Sequence, residues 1–364
     1  MTVIHCRTCI MPSTRPRIVF DDTGQCNACR FAEERKQIDW DARFCEFKRV
    51  VNQYRGDGPY DCVVPFSGGK DSATIAYKLK FEHNLNPLLV TYGQLLWTDV
   101  GRRNFHRVAA AGLDIIYWRT NQEVSRRLAR RFLIERGHIK QHYDAAVNAV
   151  PVRTAINFNI PLIFYAEHGE SFYGGQVLSE EHRRTRDLAE VLENQVGDDA
   201  RNWATGGITE RDLHPYIYPD AKDIERVGVK AFYYSYFFPW SIYDNAMFAR
   251  DHMGFEWIKP RTDGSFEGYD SIDDMVDGVD FYGMWLKFGF GRATRMASRL
   301  IQDGKMTRKE GLHLVREYDG EYPNMYLGKV LDYVGMTKRE FDDLCAQHRN
   351  PEIWDGDKLR YPPK

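Results

Sequence analysis

After Cys62 the sequence holds a single cysteine, Cys345, so most of the chain offers no set of thiolates for an iron–sulfur cluster. It also lacks an excess of charge of one sign: 50 basic residues against 52 acidic ones leave a net charge of −2. A surface built to hold a long nucleic acid carries a clear basic excess, so no nucleic-acid partner is expected. No hydrophobic run is long enough to cross a bilayer, and the most apolar stretch, 231–243, is interrupted by Pro239. The opening residues, Met-Thr-Val-Ile-His-Cys, show neither the basic nor the apolar region of a secretory leader. An odd number of cysteines does not suit a disulfide framework, and the expected location is the cytoplasm, away from any membrane. Local signatures are missing too. There is no Walker spacing and no G-x-C-x-G nucleophile elbow. The acidic run Asp263–Asp280 has no EF-hand spacing and reads as solvated loop and helix face.

What is present begins with four cysteines in the first 29 residues, Cys6-x-x-Cys9 and Cys26-x-x-Cys29. Each pair forms a knuckle that presents two thiolates, and the loop between them brings the knuckles together around one tetrahedral zinc ion. Four sulfur ligands leave no open coordination position, so Cys6, Cys9, Cys26 and Cys29 point to a structural zinc ribbon. Cys45, Cys62 and Cys345 have no such partners.

The middle of the chain alternates short apolar runs with helical patterns. Strands are expected at Asp61–Phe66, Pro87–Tyr92, Leu113–Trp118, Pro161–Ala166 and Ala231–Phe238, with helices near 73–81, 102–111 and 121–149. This is the pattern of an α/β fold with a doubly wound, mostly parallel five-stranded sheet, whose ligands sit beyond the carboxyl ends of the strands. Leu188, Val191, Leu192 and Val196 fall near helical spacing in a polar stretch, which reads as a helical surface insertion at about 179–205. Thr307-x-x-Glu310 and Thr337-x-x-Glu340 match capping boxes and predict two C-terminal helices, 307–317 and 337–347. The expected organisation is a zinc ribbon at 1–40, an α/β domain at 41–300 and a helical extension at 301–364.

The most informative residues are Ser67-Gly68-Gly69-Lys70-Asp71-Ser72, which follow a strand and open a helix. Glycines let the backbone approach a phosphate, and the helix N-terminus supplies free N–H groups and a positive dipole end. Lys70 adds a cation, the serines add hydroxyls, and Asp71 puts a carboxylate where magnesium can use it. The hexapeptide resembles the PP-loop of the ATP pyrophosphatase superfamily, also called adenine nucleotide alpha hydrolases. The resemblance implies bound ATP and Mg2+. Ser67, Gly68, Gly69, Lys70, Asp71 and Ser72 would hold phosphates, and Tyr92 and Gly93 would lie near the adenine at the end of the second strand. Gln94 and Trp97 would wall the same site or pack in the core.

Further motifs resemble the N-acetyl sugar amidotransferase family of that superfamily. They are Met11-Pro12 in the ribbon, Ala166-Glu167-His168-Gly169-Glu170, Lys259–Phe266, Lys287-Phe-Gly-Phe-Gly-Arg-Ala-Thr294, Asp303-Gly304 and Tyr318-Asp-Gly-Glu321. Two positions depart from the family pattern: Tyr165-Ala166 where Trp-Gly is usual, and Arg295-Met296 where an acidic residue and alanine are usual. The resemblance implies an ATP-dependent enzyme that turns the acetamido group of a nucleotide-activated sugar into an acetamidino group for surface polysaccharide or glycan synthesis. The alternative is a tRNA-thiolating enzyme with a similar loop, which usually carries further cysteines after it.

An amide carbon is a poor electrophile. Adenylating its oxygen creates a leaving group that ammonia can displace. Lys70 and magnesium would neutralise the pyrophosphate, with Lys287 or Arg292 as a second cation. Glu167, His168 and Glu170 would bind metal, orient the sugar or accept a proton, and Arg261 would pair with a phosphate or a sugar carboxylate. Thr2 follows Met1, so removal of the methionine exposes no cysteine nucleophile. Ammonia is therefore expected from a glutaminase subunit, with a cyclase-like channel subunit implied by the resemblance.

Overall fold

The computed structural model describes residues 2–363. Its centre is a six-stranded sheet built from β1 (Cys62–Pro65), β2 (Pro87–Tyr92), β3 (Asp114–Trp118), β4 (Leu162–Tyr165), β5 (Thr185–Arg186) and β6 (Lys230–Tyr233). The order is β3-β2-β1-β4-β6-β5, parallel except for the short antiparallel β5. The chain winds from β1 outward to β3, then crosses back to β4 on the other side of β1. That reversal opens a crevice at the carboxyl ends of β1 and β4.

The register follows from alternation along each strand. Val63 pairs with Leu88 and Ile163, and Ile163 pairs with Ala231, so one row of side chains faces one helical layer. Cys62, Val64, Leu89, Phe164 and Phe232 face the opposite core. Burial on both faces explains why these strands read as continuous apolar runs.

Two sequence expectations are corrected here. The run Ala231–Phe238 is not one strand: β6 ends at Tyr233, and Tyr234–Phe237 turns into a short helix before Pro239. The stretch 179–205 is helical in short separate turns rather than as one helix, and the expected five-stranded sheet has six strands. The stretch supplies the sixth strand, β5, and short helical turns that bury Glu190, Val191, Val196 and Trp203. The 121–149 pattern divides into helices Gln122–Arg136 and Gln141–Asn157, interrupted at the left-handed Gly137.

Helix Asp277–Phe288 leads into helix Arg292–Gln302, which is followed by helices Arg308–Tyr318, Leu327–Val334 and Lys338–His348. Both C-terminal capping boxes form, Thr307 with Glu310 and Thr337 with Glu340. Asp319 accepts the backbone N–H groups of Gly291 (2.9 Å) and Thr294 (3.0 Å), tying the Tyr318–Glu321 turn to the start of helix Arg292–Gln302. A small hairpin, β7 (Trp354–Asp355) and β8 (Lys358–Leu359), closes the described chain. Among the described residues no helix is long and apolar enough to cross a membrane.

Candidate functional site

The loop after β1 sits at the crevice, and helix Lys70–Tyr77 starts directly behind it. Gly68 has φ +93°, and a Cβ there would meet the Trp97 ring at 2.9 Å, so backbone conformation and space both demand glycine. Within the loop, Ser67 Oγ accepts the Gly69 N–H (3.2 Å). Ser72 Oγ accepts the Ser67 N–H (3.4 Å) and donates to the Gly69 carbonyl (3.3 Å). Gln94 Nε2 pins the loop from outside by donating to the Ser67 carbonyl (2.6 Å) and to Asp273 Oδ2 (2.8 Å).

Lys70 is 8% exposed, and its Nζ lies 3.0 Å from Asp71 Oδ2. Burial disfavours its charge, but Asp71 and Asp270 outweigh that and hold it above the ordinary lysine value. Asp71 Oδ1 accepts the Asn245 side-chain amide at 2.9 Å, a contact from helix Ile242–Met253 that no local pattern signals. Arg292 grips Asp270 with two guanidinium nitrogens and lies over the Phe281 ring. The buried Asp270 carboxylate therefore favours the charge of both Lys70 and Arg292.

The acidic run is not solvated, contrary to the sequence expectation. Asp270, Asp274 and Asp277 are buried, because distant partners satisfy them. Arg292 holds Asp270, Lys140 donates to Asp277 (2.7 Å), and the backbone N–H groups of Leu95 and Leu96 reach Asp274 (3.1 Å each). Burial, with Asp277 close by, pushes Asp273 up to about 7.

Two cavities open here. The smaller, about 210 Å³, is bordered by Ser67, Asp71, Ser72, Tyr92, Glu167 and Arg186. The larger, about 640 Å³, is bordered by Glu167, Glu170, Tyr173, Arg186, Lys287 and Arg295 among others. Glu167 and Arg186 belong to both. Glu167 accepts the Tyr173 hydroxyl (3.3 Å), and burial followed by Asp71 raises its carboxyl above the ordinary range. Asp71 and Glu167 face the same small cavity, where Asp71 together with phosphate oxygens would suit magnesium.

The remaining residues singled out from sequence take varied positions. His168 caps helix Gly169–Tyr173 through Ser171, and burial, then Arg186, pushes it down to about 3. Glu170 pairs with Arg15 at 3.4 Å. Tyr92 hydrogen-bonds Thr120 and Tyr216, while Gly93 donates to the Trp118 carbonyl and lies so close to Tyr117 that a Cβ would strike its hydroxyl. Lys287 lines the larger cavity and donates to the Arg136 carbonyl (2.8 Å); it borders no cavity shared with the loop. Arg261 is engaged by Glu321 at 2.6 and 2.9 Å. Sequence reasoning missed Arg186, Asn245 and Asp270 as site residues. It also missed Arg299, although its helical spacing from Arg292 and Arg295 marks a common face.

The four ribbon cysteines are buried, with sulfur atoms all within 4.8 Å of one another. The Cys6–Cys29 and Cys9–Cys26 separations are 3.8 and 3.7 Å. A tetrahedron with metal–sulfur bonds of about 2.3 Å has edges of about 3.8 Å, so the set fits zinc. The backbone N–H groups of Cys26 and Met11 point at Cys6 and Cys9 sulfurs. Arg308 donates to the Cys9 and Cys6 carbonyls, and Thr14 donates to the Phe288 carbonyl (2.5 Å), so the ribbon leans on the segment carrying Arg292.

Residues 263–362 match a family model described as LPS biosynthesis protein WbpG-like, C-terminal domain. No curated protein matches the chain. The matched span contains Asp270, Asp273, Lys287, Arg292, Arg295 and Arg299, and contributes Lys287 and Arg295 to the wall of the larger cavity. The chain thus carries a region similar to the C-terminal domain of WbpG-like proteins of lipopolysaccharide biosynthesis.

Proposed function

We propose that this chain is a cytoplasmic, ATP-dependent amidotransferase that converts the acetamido group of a nucleotide-activated N-acetyl sugar into an acetamidino group for lipopolysaccharide or related surface glycans. The observation that carries this reading is that two neighbouring cavities share Glu167 and Arg186 in their walls, with the Ser67–Ser72 loop bordering the smaller one. A reaction between ATP and a second, larger polar substrate needs such a junction. The similarity of residues 263–362 to a lipopolysaccharide-biosynthesis domain supports a sugar as that substrate.

In this reading ATP lies with its phosphates on the loop and its adenine towards Tyr92 and Gly93. Lys70 and Arg292 make the phosphate end positive, and magnesium held by Asp71 would supply further charge neutralisation. The acetamide oxygen bonds to the α-phosphorus, and pyrophosphate leaves. Ammonia then bonds to the imidate carbon, AMP leaves with the oxygen, and Glu167 accepts the surplus proton. Holding both reactants at one junction converts encounter into near-unimolecular chemistry. Ammonia comes from a glutaminase partner through a channel subunit. Sulfur transfer finds no support, since no cysteine borders either cavity among the described residues.

The test uses purified protein, ATP, Mg2+, ammonium and a panel of nucleotide-linked N-acetyl sugars. AMP and pyrophosphate in equal amounts, formed only with an accepted sugar, are expected. ADP, or no sugar-dependent AMP, contradicts the reading.

A further inference from the structure

Helix Arg292–Gln302 carries arginines at 292, 295 and 299, spaced to share one face. Arg292 is held by Asp270, but neither of the others has an ion pair among the described residues. Arg299 is 4% exposed, and its Nε, Nη1 and Nη2 all lack a hydrogen-bond partner. Both guanidiniums lie against the Tyr173 ring, at 4.5 Å for Arg295 and 4.4 Å for Arg299. A buried guanidinium with five unused donors is costly unless an anion completes it. The nearby carboxylates are already engaged: Asp303 by Arg35 (3.2 Å), Asp71 by Lys70 and Asn245, Glu167 by Tyr173.

We infer that Arg295 and Arg299 receive the pyrophosphate end of the nucleoside triphosphate as it separates, with the Tyr173 ring as their movable cover. This rests on the ATP-consuming reading above. As the amide oxygen bonds to the α-phosphorus, the bond from that phosphorus to the bridging oxygen breaks, and its electron pair leaves on pyrophosphate. The two guanidiniums take up that charge, Arg299 through paired N–H groups that match adjacent phosphate oxygens. Arg299 lies against Tyr173, whose hydroxyl donates to Glu167 (3.3 Å) in the wall of the loop cavity, so it stands close to the phosphate site. The crevice that the arginines border with Tyr173 holds only about 20 Å³, so the anion enters when the ring turns aside. Tyr173 also borders the larger cavity, which gives the ring somewhere to go.

The test is calorimetric titration of the full chain with magnesium pyrophosphate, alongside thermal melting without ligand. Arg299→Met is expected to weaken pyrophosphate binding about 10- to 100-fold. Its unliganded melting temperature should hold or rise, because an unpartnered buried charge has been removed. A merely structural arginine would give the reverse: lower melting and unchanged binding, which overturns the inference. Arg299→Lys should restore binding only in part. If Arg299→Met does not fold, Arg295→Met, at a partly exposed position, carries the same binding expectation, and wild-type affinity in that variant overturns the inference. Normal binding by the variants with intact sugar-dependent AMP release sinks the inference alone. Arginine-dependent pyrophosphate binding without any AMP release sinks the sugar reading alone. A wild-type chain that binds neither ATP nor pyrophosphate sinks both.

Discussion

Glu167 and Arg186 border both cavities at the carboxyl ends of β1 and β4, one following a strand in the middle of the sheet and the other on its edge strand β5. Their shared position makes Glu167 the carboxylate best placed to act on whatever passes between the two. Burial and Asp71 raise its pKa, so the active carboxylate is lost as pH falls through a value above the ordinary glutamate range. The acid limb of kcat against pH should lie correspondingly high. Glu167→Gln should cost about 100-fold or more in kcat and abolish that limb, with little change in ATP affinity. An unchanged limb in the variant would remove Glu167 from the proton path.

Lys70 Nζ lies 3.0 Å from Asp71, and the Asp270 carboxylate, gripped by Arg292, also favours its charge. Lys70→Ala should lower sugar-dependent AMP formation about 100- to 1,000-fold, the scale for losing one preorganised charge at a developing anion. Lys287→Ala should cost far less, because Lys287 donates to the Arg136 carbonyl in the larger cavity. Equal losses in the two variants, measured by AMP release, would contradict the placement of the phosphate end on the loop.

The strand–loop–helix turn at 62–77 was legible in the sequence because its signals are local: an apolar strand, two glycines and a helix start. The sheet was legible for the same reason, as apolar runs at Cys62–Pro65 and Pro87–Tyr92 need no distant partner to declare themselves. Tyr234–Phe238 misled because aromatic residues favour strands wherever they fall, whereas here the chain turns after Tyr233. The burial of Asp270, Asp274 and Asp277 depends on Arg292, Lys140 and the Leu95–Leu96 backbone, contacts that no window of sequence contains. The three arginines of helix Arg292–Gln302 announce a common face by spacing, but only the fold reveals that Arg299 is buried without a partner.

Cys26→Ser should release zinc and loosen the ribbon, because the Cys6–Cys29 and Cys9–Cys26 geometry depends on all four ligands. Since Arg308 and Thr14 join the ribbon to the segment flanking Arg292, the variant should also lose ATP binding. Metal analysis and melting curves check this. Full zinc content in the variant would contradict the four-cysteine site.

His138 lies between Asp280 (2.7 Å) and Asp144 (3.1 Å). Burial opposes its charge, but the two carboxylates prevail and push it up to about 10. The unfolded chain has the ordinary value near 6.5, so the folded value is the higher one. Its stabilisation is whole below about pH 6.5 and is lost as pH rises towards 10. His138→Gln should cost about 1.5–3 kcal/mol in urea unfolding at pH 6 and distinctly less at pH 9. Equal costs at both pH values would contradict this pairing.

The central claim is that the sugar's acetamide oxygen attacks the α-phosphorus of ATP. A nucleotide-linked N-acetyl sugar labelled with 18O in the acetamide carbonyl, turned over with ATP and ammonium, tests it most directly by mass spectrometry. The account predicts one 18O in the AMP and none in pyrophosphate, with an acetamidino sugar as the other product. Unlabelled AMP, or label in inorganic phosphate beside ADP, would contradict it.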